Sequence, residues 1–150
     1  MSKIPYKHDD MGRLVGMTGR FMERLVNQRL KEAGHEMDLM HCIVLKHLWM
    51  EDGRIQQALG DFAGRDKTRM TRAIDLLEKQ NIVVRVPDQQ DRRHKRIFLT
   101  HKGRALENEL EPLMIQAMED TMAHIPLEEI QICKSVLQRM MNNLSEIHSS

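Results

Sequence analysis

At 150 residues and 41% apolar content, the chain is one domain by length, or one small domain with helical extensions, and can bury a real core. Aromatic residues make up 3% against 13 Met, which suits helix-rich packing and argues against a base-stacking platform for single strands. The net charge of +1 hides a division: residues 65–104 hold 12 of the 23 Lys and Arg but 5 of the 22 Asp and Glu, a local +7 against −6 elsewhere, which points to a polyanion such as nucleic acid.

The first helix is expected to start near Asp9 or Asp10, either of which can cap free backbone N–H groups, and to run to about Lys31. Met11, Leu14, Thr18, Phe21, Met22 and Leu25 recur along it at helical spacing, and Gly34 is its stop. A second helix spans about Asp38 to Met50, with Leu39, Cys42, Ile43 and Leu45 on its apolar faces, and Glu51-Asp52-Gly53 ends it. Ile55 then makes a brief strand contact before a short helix from Gln56 to Ala63, with Leu59 and Phe62 facing inward.

Gly64-Arg65-Asp66 forms a tight connection into a helix from about Lys67 to Gln80. At about 100° per residue, Met70, Ala73, Ile74 and Leu77 share one face. Thr68, Arg72, Asp75 and Lys79 point the other way, with Arg69 and Thr71 on the flanks. Asn81 follows, a residue that tolerates the left-handed φ of a helix end. Ile82 to Val86 and Arg96 to Leu99 read as a β-hairpin around the polar tip Pro87-Asp88-Gln89-Gln90-Asp91.

Thr100 is an N-cap for a helix expected to run unbroken from His101 to about His124, with Leu106, Leu110, Leu113 and Ala117 along one side. Ala105 to Ile130 contains no Lys or Arg and forms an acidic body. Pro126 suits a first helical turn. The last helix spaces Ile130, Cys133, Leu137, Met140, Leu144 and Ile147 by 3, 4, 3, 4 and 3, an apolar seam of coiled-coil type. Long amphipathic helices flanking a small unit must bury their seams, and a second copy of the chain is the expected partner.

A short helix, a tight turn, a donor-bearing helix and a hairpin follow one another as in a winged helix-turn-helix. From Gln56 to Leu106 the residues resemble the MarR (multiple-antibiotic-resistance regulator) family of bacterial transcription regulators. That family's Asp-Lys-Ser-Thr-Val-Thr-Arg and Leu-Glu stand here as Asp66-Lys67-Thr68-Arg69-Met70-Thr71-Arg72 and Leu77-Glu78, and its wing signature as Asp91-Arg92-Arg93, followed by Leu99-Thr100 and Lys102-Gly103-Arg104. Departures are Ala58-Leu59-Gly60 for the usual Glu-Leu-Ala, Ala63 for a Leu, whose volume Phe62 refills, and Asn81 for a helix-ending Gly. Gly60 weakens a helix by roughly 1 kcal/mol relative to Ala, unless it serves close approach of the next helix.

The resemblance implies a mainly α (α+β) fold. Residues 38–100 would form the DNA-binding winged helix-turn-helix lobe, and 9–33 and 101–148 the dimerisation helices. The expected partners are double-stranded DNA with a pseudo-palindromic operator, a second copy of the chain, and a small-molecule effector. Repression is the commoner mode.

In the recognition helix, Thr68, Thr71 and Arg72 are the expected base readers, while Lys67 and Arg69 hold phosphates. In the wing, Asp91 and Arg93 lie two apart, so in an extended strand they share a face and Asp91 can orient the guanidinium. The resemblance puts Arg93 in the minor groove, with Arg92, Lys95 and Arg96 on phosphates. It also places an effector near the junction of the lobe and the flanking helices, where Phe21, His41 and Trp49 are candidates.

Competing readings are weaker. His35, His41, Cys42, His47, Glu23 and Glu36 are conceivable metal ligands, but their spacing is not that of a metal motif, and no metal or cofactor is expected. Cys42 and Cys133 sit in separate expected helices with no Cys-x-x-Cys spacing, so no disulfide scaffold is expected, and both read as buried and inert, which argues against a redox sensor. No nucleophile elbow, Gly-rich phosphate loop or paired-carboxylate motif suggests an enzyme. A winged-helix module that binds protein has no need for the +7 segment. No apolar run approaches the ~20 residues of a membrane span and MSKIPYKHDD has no signal-like apolar core, so a cytoplasmic protein is expected.

Overall fold

The computed structural model describes residues 10–62 and 66–149, the side chain of Phe62 excepted. Its elements are α1 (Met11–Glu32), α2 (Leu39–Met50), β1 (Arg54–Ile55), α3 (Gln56–Phe62), α4 (Lys67–Lys79), β2 (Val83–Pro87), β3 (Lys95–Leu99), α5 (His101–Ala105), α6 (Glu107–Thr121) and α7 (Leu127–Ser149). Two compact units divide after Ala117. The fold is mainly helical with one small antiparallel sheet, the winged helix-turn-helix order.

In the first unit, α2 is enclosed on most sides. Met40, Cys42, Val44, Leu45 and Leu48 are buried, and so are Leu59 of α3 and Met70, Ala73, Ile74 and Leu77 of α4. The sheet closes this core. Its order is β1-β3-β2, and the register pairs Val83 with Leu99, Arg85 with Ile97, and Arg54 with Ile97. Val83, Ile97 and Leu99 thus share the buried face, as a period of two requires.

Helix ends follow local chemistry. Asp38 caps α2 by accepting from the N–H groups of Met40 and His41, and His41 Nδ1 accepts the Asp38 N–H at 2.9 Å. Thr100 caps α5 through the Gly103 N–H. Asn81 takes φ 59° after α4, and Gly34 takes φ 83° after α1. Pro126 lies one residue before α7, where its carbonyl accepts from Glu129 and Ile130.

Several expectations are corrected. Asp10 makes no side-chain cap on α1, because its carboxylate pairs with Arg13 at 2.9 Å. The helix after the wing is broken at Leu106 into α5 and α6, and Pro112 lies within α6, unable to donate to the carbonyl of Asn108. A Cβ on Gly60 would meet no described atom within 4 Å, so close approach does not require this glycine. Cys133 is exposed in the single chain. The packing expected of Phe62 and Ala63, the Gly64-Arg65 turn and the Asp9 cap lie outside the described residues.

Apolar faces remain open. On α1 burial is confined to Val26 and Leu30, near its C-terminal end, while Met11, Leu14, Val15 and Phe21 are exposed. In the second unit, α7 has no buried residue, and Ile132, Leu137, Met141, Leu144 and Ile147 are exposed. No helix among the described residues is long and apolar enough to cross a membrane.

Candidate nucleic-acid interface

Helix α4 starts where Asp66 accepts the Arg69 N–H at 2.9 Å, and its buried stripe anchors it against α2 and the sheet. Lys67, Thr68, Arg69, Thr71 and Arg72 are all exposed along its N-terminal half. They differ in what they can offer. Thr71 Oγ1 donates to the Lys67 carbonyl at 2.9 Å, so its hydroxyl proton is spent and it presents lone pairs and a methyl. Arg69 reaches back to Glu23 on α1 at 2.6 Å, and that bond, against the opposing effect of burial, holds the guanidinium above its usual protonation range.

The wing is built around two aspartates. Buried Asp88 accepts from Arg96 Nε at 2.5 Å and from the Asp91 N–H at 3.0 Å, while Arg96 Nη1 donates to the Gly53 carbonyl at 2.8 Å. Two edges of the Arg96 guanidinium therefore tie the wing tip to the turn that precedes β1. Asp91 receives Arg93 Nε at 3.0 Å, Nη2 at 2.9 Å and its backbone N–H at 3.1 Å. The Asp91–Arg93 pair was expected on an extended strand. Instead it closes a turn at the tip, because β3 begins only at Lys95 and an aspartate readily accepts the N–H two residues on. Arg93 is still 89% exposed, so the clamp fixes its direction without covering it. Hydrogen bonds from Arg96 and Arg93 respectively hold the carboxyls of Asp88 and Asp91 below the usual carboxylate range. Arg92 and Lys95 are exposed beside them.

Arg85 escaped the sequence reading. From β2 it sends Nη2 to Asp75 at 2.6 Å, Nη1 to Glu78 at 2.9 Å and Nε to Gln56 of α3 at 3.1 Å. It thereby locks the wing to α4 and to α3. The signal was an arginine at an inward position of a strand, one alternation after Val83, with acids at i and i+3 on the preceding helix.

A cleft of about 360 Å³ lies between α4 and the wing, with Lys67, Thr71, Arg93 and Lys95 on its walls. A second, of about 550 Å³, runs along α1 between Arg20 and Lys31. A third, of about 300 Å³, lies between the start of α2 and α4 and is lined by His41, Arg69 and Arg72. The three effector candidates do not converge on one of these. His41 lines the third, with Nε2 enclosed and unpartnered among the described residues. Phe21 is exposed on α1, with the Arg24 guanidinium 5.6 Å from its ring centroid. Trp49 donates from Nε1 to the Gly103 carbonyl at 3.0 Å. Among the described residues no group of three or more His, Cys, Asp and Glu is arranged to hold a metal ion.

The sequence pattern of the MarR family matches residues 41–95, from the start of α2 to the wing. The chain is also similar to the transcriptional regulator PA3341, at 30% identity over 90% of this chain and 98% of that one, with a TM-score of 0.77. It belongs to the MarR family. It is therefore a transcriptional regulator with a DNA-binding winged helix. The HTH-type regulator YybA of Bacillus subtilis is 26% identical over 136 residues, 91% of this chain and 89% of its own length. A MarR-family regulator from Listeria monocytogenes, solved in complex with a 26mer DNA, has the same fold at 23% identity, with a TM-score of 0.81 over 92% of this chain and 91% of that one.

Proposed function

We propose that this MarR-family regulator binds duplex DNA as a homodimer, reads a pseudo-palindromic operator, and acts as a repressor released by a small-molecule effector. The observation that carries the DNA reading is the pairing of α4's exposed donor face with an exposed Arg93 that Asp91 already holds in one orientation. A helix in the major groove puts Thr68, Thr71 and Arg72 at base edges. Arg72 is suited to guanine, and Thr71, with its proton spent, accepts from an adenine or cytosine amino group. Lys67, Arg69, Arg92, Lys95 and the remaining edge of Arg96 hold phosphates, and Arg93 enters the minor groove.

The homodimer is supported by the apolar faces left open at the start of α1 and along α7, which a second copy would cover. Residues 9–33 and 101–148 are then the dimerisation helices and 38–100 the DNA-binding lobe. Two lobes on a two-fold axis read half-sites about 10 base pairs apart, with affinity falling steeply as salt rises. Phe21, His41 and Trp49 are the first effector positions to substitute. The test is a footprint on a selected operator: Arg93→Ala should weaken protection over the flanking minor groove and flatten the salt dependence. Wild-type protection by Arg93→Ala would remove the wing from the reading.

A further inference from the structure

The cleft between α4 and the wing brings together Lys67 and Thr71 of α4, Gln56 of α3, and Arg93, His94 and Lys95 of the wing. When a helix occupies one groove and a wing arginine the next, the phosphodiester strand separating the two grooves must pass between them. The walls are chemically suited to that strand. Gln56 Oε1 accepts from Arg85, so the amide's free function is its NH2. His94 is fixed at its backbone, where its N–H donates to the Asp91 carbonyl at 3.0 Å and its own carbonyl accepts from Asp88 at 2.9 Å. Its ring Nε2 lies 3.6 Å from Asp91 Oδ2.

We propose that this cleft seats a DNA phosphodiester and that His94 is its proton-dependent ligand, the imidazolium donating to a phosphate oxygen. The inference rests on the DNA-binding reading above. The charged groups facing His94 are Asp91, Arg93 and Lys95 on the wing and Lys67 on α4, while α3 and β1 contribute the uncharged Gln56, Gln57 and Ile55. Asp91 is paired with Arg93 through both its oxygens, which leaves Lys67 and Lys95 as the further cations around the ring. A phosphate brings the missing negative charge, so binding draws up to one proton per subunit from solution. Histidine is the side chain that changes charge between about pH 5 and 8.

The test titrates the full chain against a duplex obtained by selection, at constant ionic strength, at about pH 8 and pH 6. Wild type should tighten by roughly fivefold per half-site towards the lower pH, the scale of one exposed ion pair. In His94→Gln that ratio should fall towards unity, and in wild type the duplex should delay deprotonation of the His94 ring as followed by NMR. An equal ratio in His94→Gln would overturn the assignment. An equal ring response to inorganic phosphate at matched concentration would make the cleft a small-anion seat and overturn the strand assignment. Failure of wild type to bind any selected duplex would overturn the DNA-binding reading itself. Tight binding without pH dependence would overturn this inference alone.

Discussion

Arg85→Met tests whether the wing and the recognition helix move as one body. Arg85 is 18% exposed, while its partners Asp75 and Glu78 are 58% and 44% exposed, so both ion pairs are largely solvent-screened. Each is then worth under ~1 kcal/mol. The part-buried bond to Gln56 adds about 1 kcal/mol, and Met retains most of the aliphatic stem. The expected loss is about 2 kcal/mol in urea unfolding at fixed protein concentration, with an unchanged m-value. A cycle with Glu78→Gln should return a coupling of about 0.5–1 kcal/mol. DNA affinity should fall as well, although Arg85 is placed behind the interface, because the distance between helix and wing is no longer held. A loss under ~0.5 kcal/mol, the level of an ordinary surface change, with no coupling and no change in DNA affinity, would refute the reasoning.

Gly103→Ala should destabilise by at least about 1–3 kcal/mol, since the added Cβ would be driven into the Ile82 carbonyl and lie 3.1 Å from Leu99 Cδ2; thermal melts check it. Burial first, and the Asp38 charge second, push the Cys42 thiol up to about 12, so thiol reagents at neutral pH should label it only on unfolding. Cys133 should react at once in dilute protein and slow down as concentration rises, if α7 forms the proposed dimer seam. Asp88 and Asp91 have carboxyls held below their ordinary range, so their contribution is full above that range and is lost as pH falls through the lowered values. In acid the amides of the wing tip should lose exchange protection before those of α2 and α4, and simultaneous loss would contradict this.

Most of what the sequence made legible was local. The stripe Met70, Ala73, Ile74 and Leu77, the Thr100 cap, the Asn81 turn and the hairpin all depend on residues within a few positions of one another, and each stands as expected. What escaped was the competition for polar groups between distant elements. Arg85 meets Asp75, Glu78 and Gln56 because β2 folds back over α4, and no period of 2 or 3.6 announces an ion pair. Arg96 looked like one more cation until Asp88 and the Gly53 carbonyl claimed it. Asp10 was a sound cap by residue type, but Arg13 one turn on competed for its carboxylate. The break at Leu106 interrupts a helix whose apolar spacing runs on without a gap.

The chain's single tryptophan, Trp49, sits near the end of α2 and bonds across 54 residues of sequence to the helix that leaves the wing. Its indole is thus a natural optical gauge of that junction. Any effector or operator that shifts α5 against α2 must break or strain the Nε1 bond to Gly103. The emission can be followed in real time without attaching a dye.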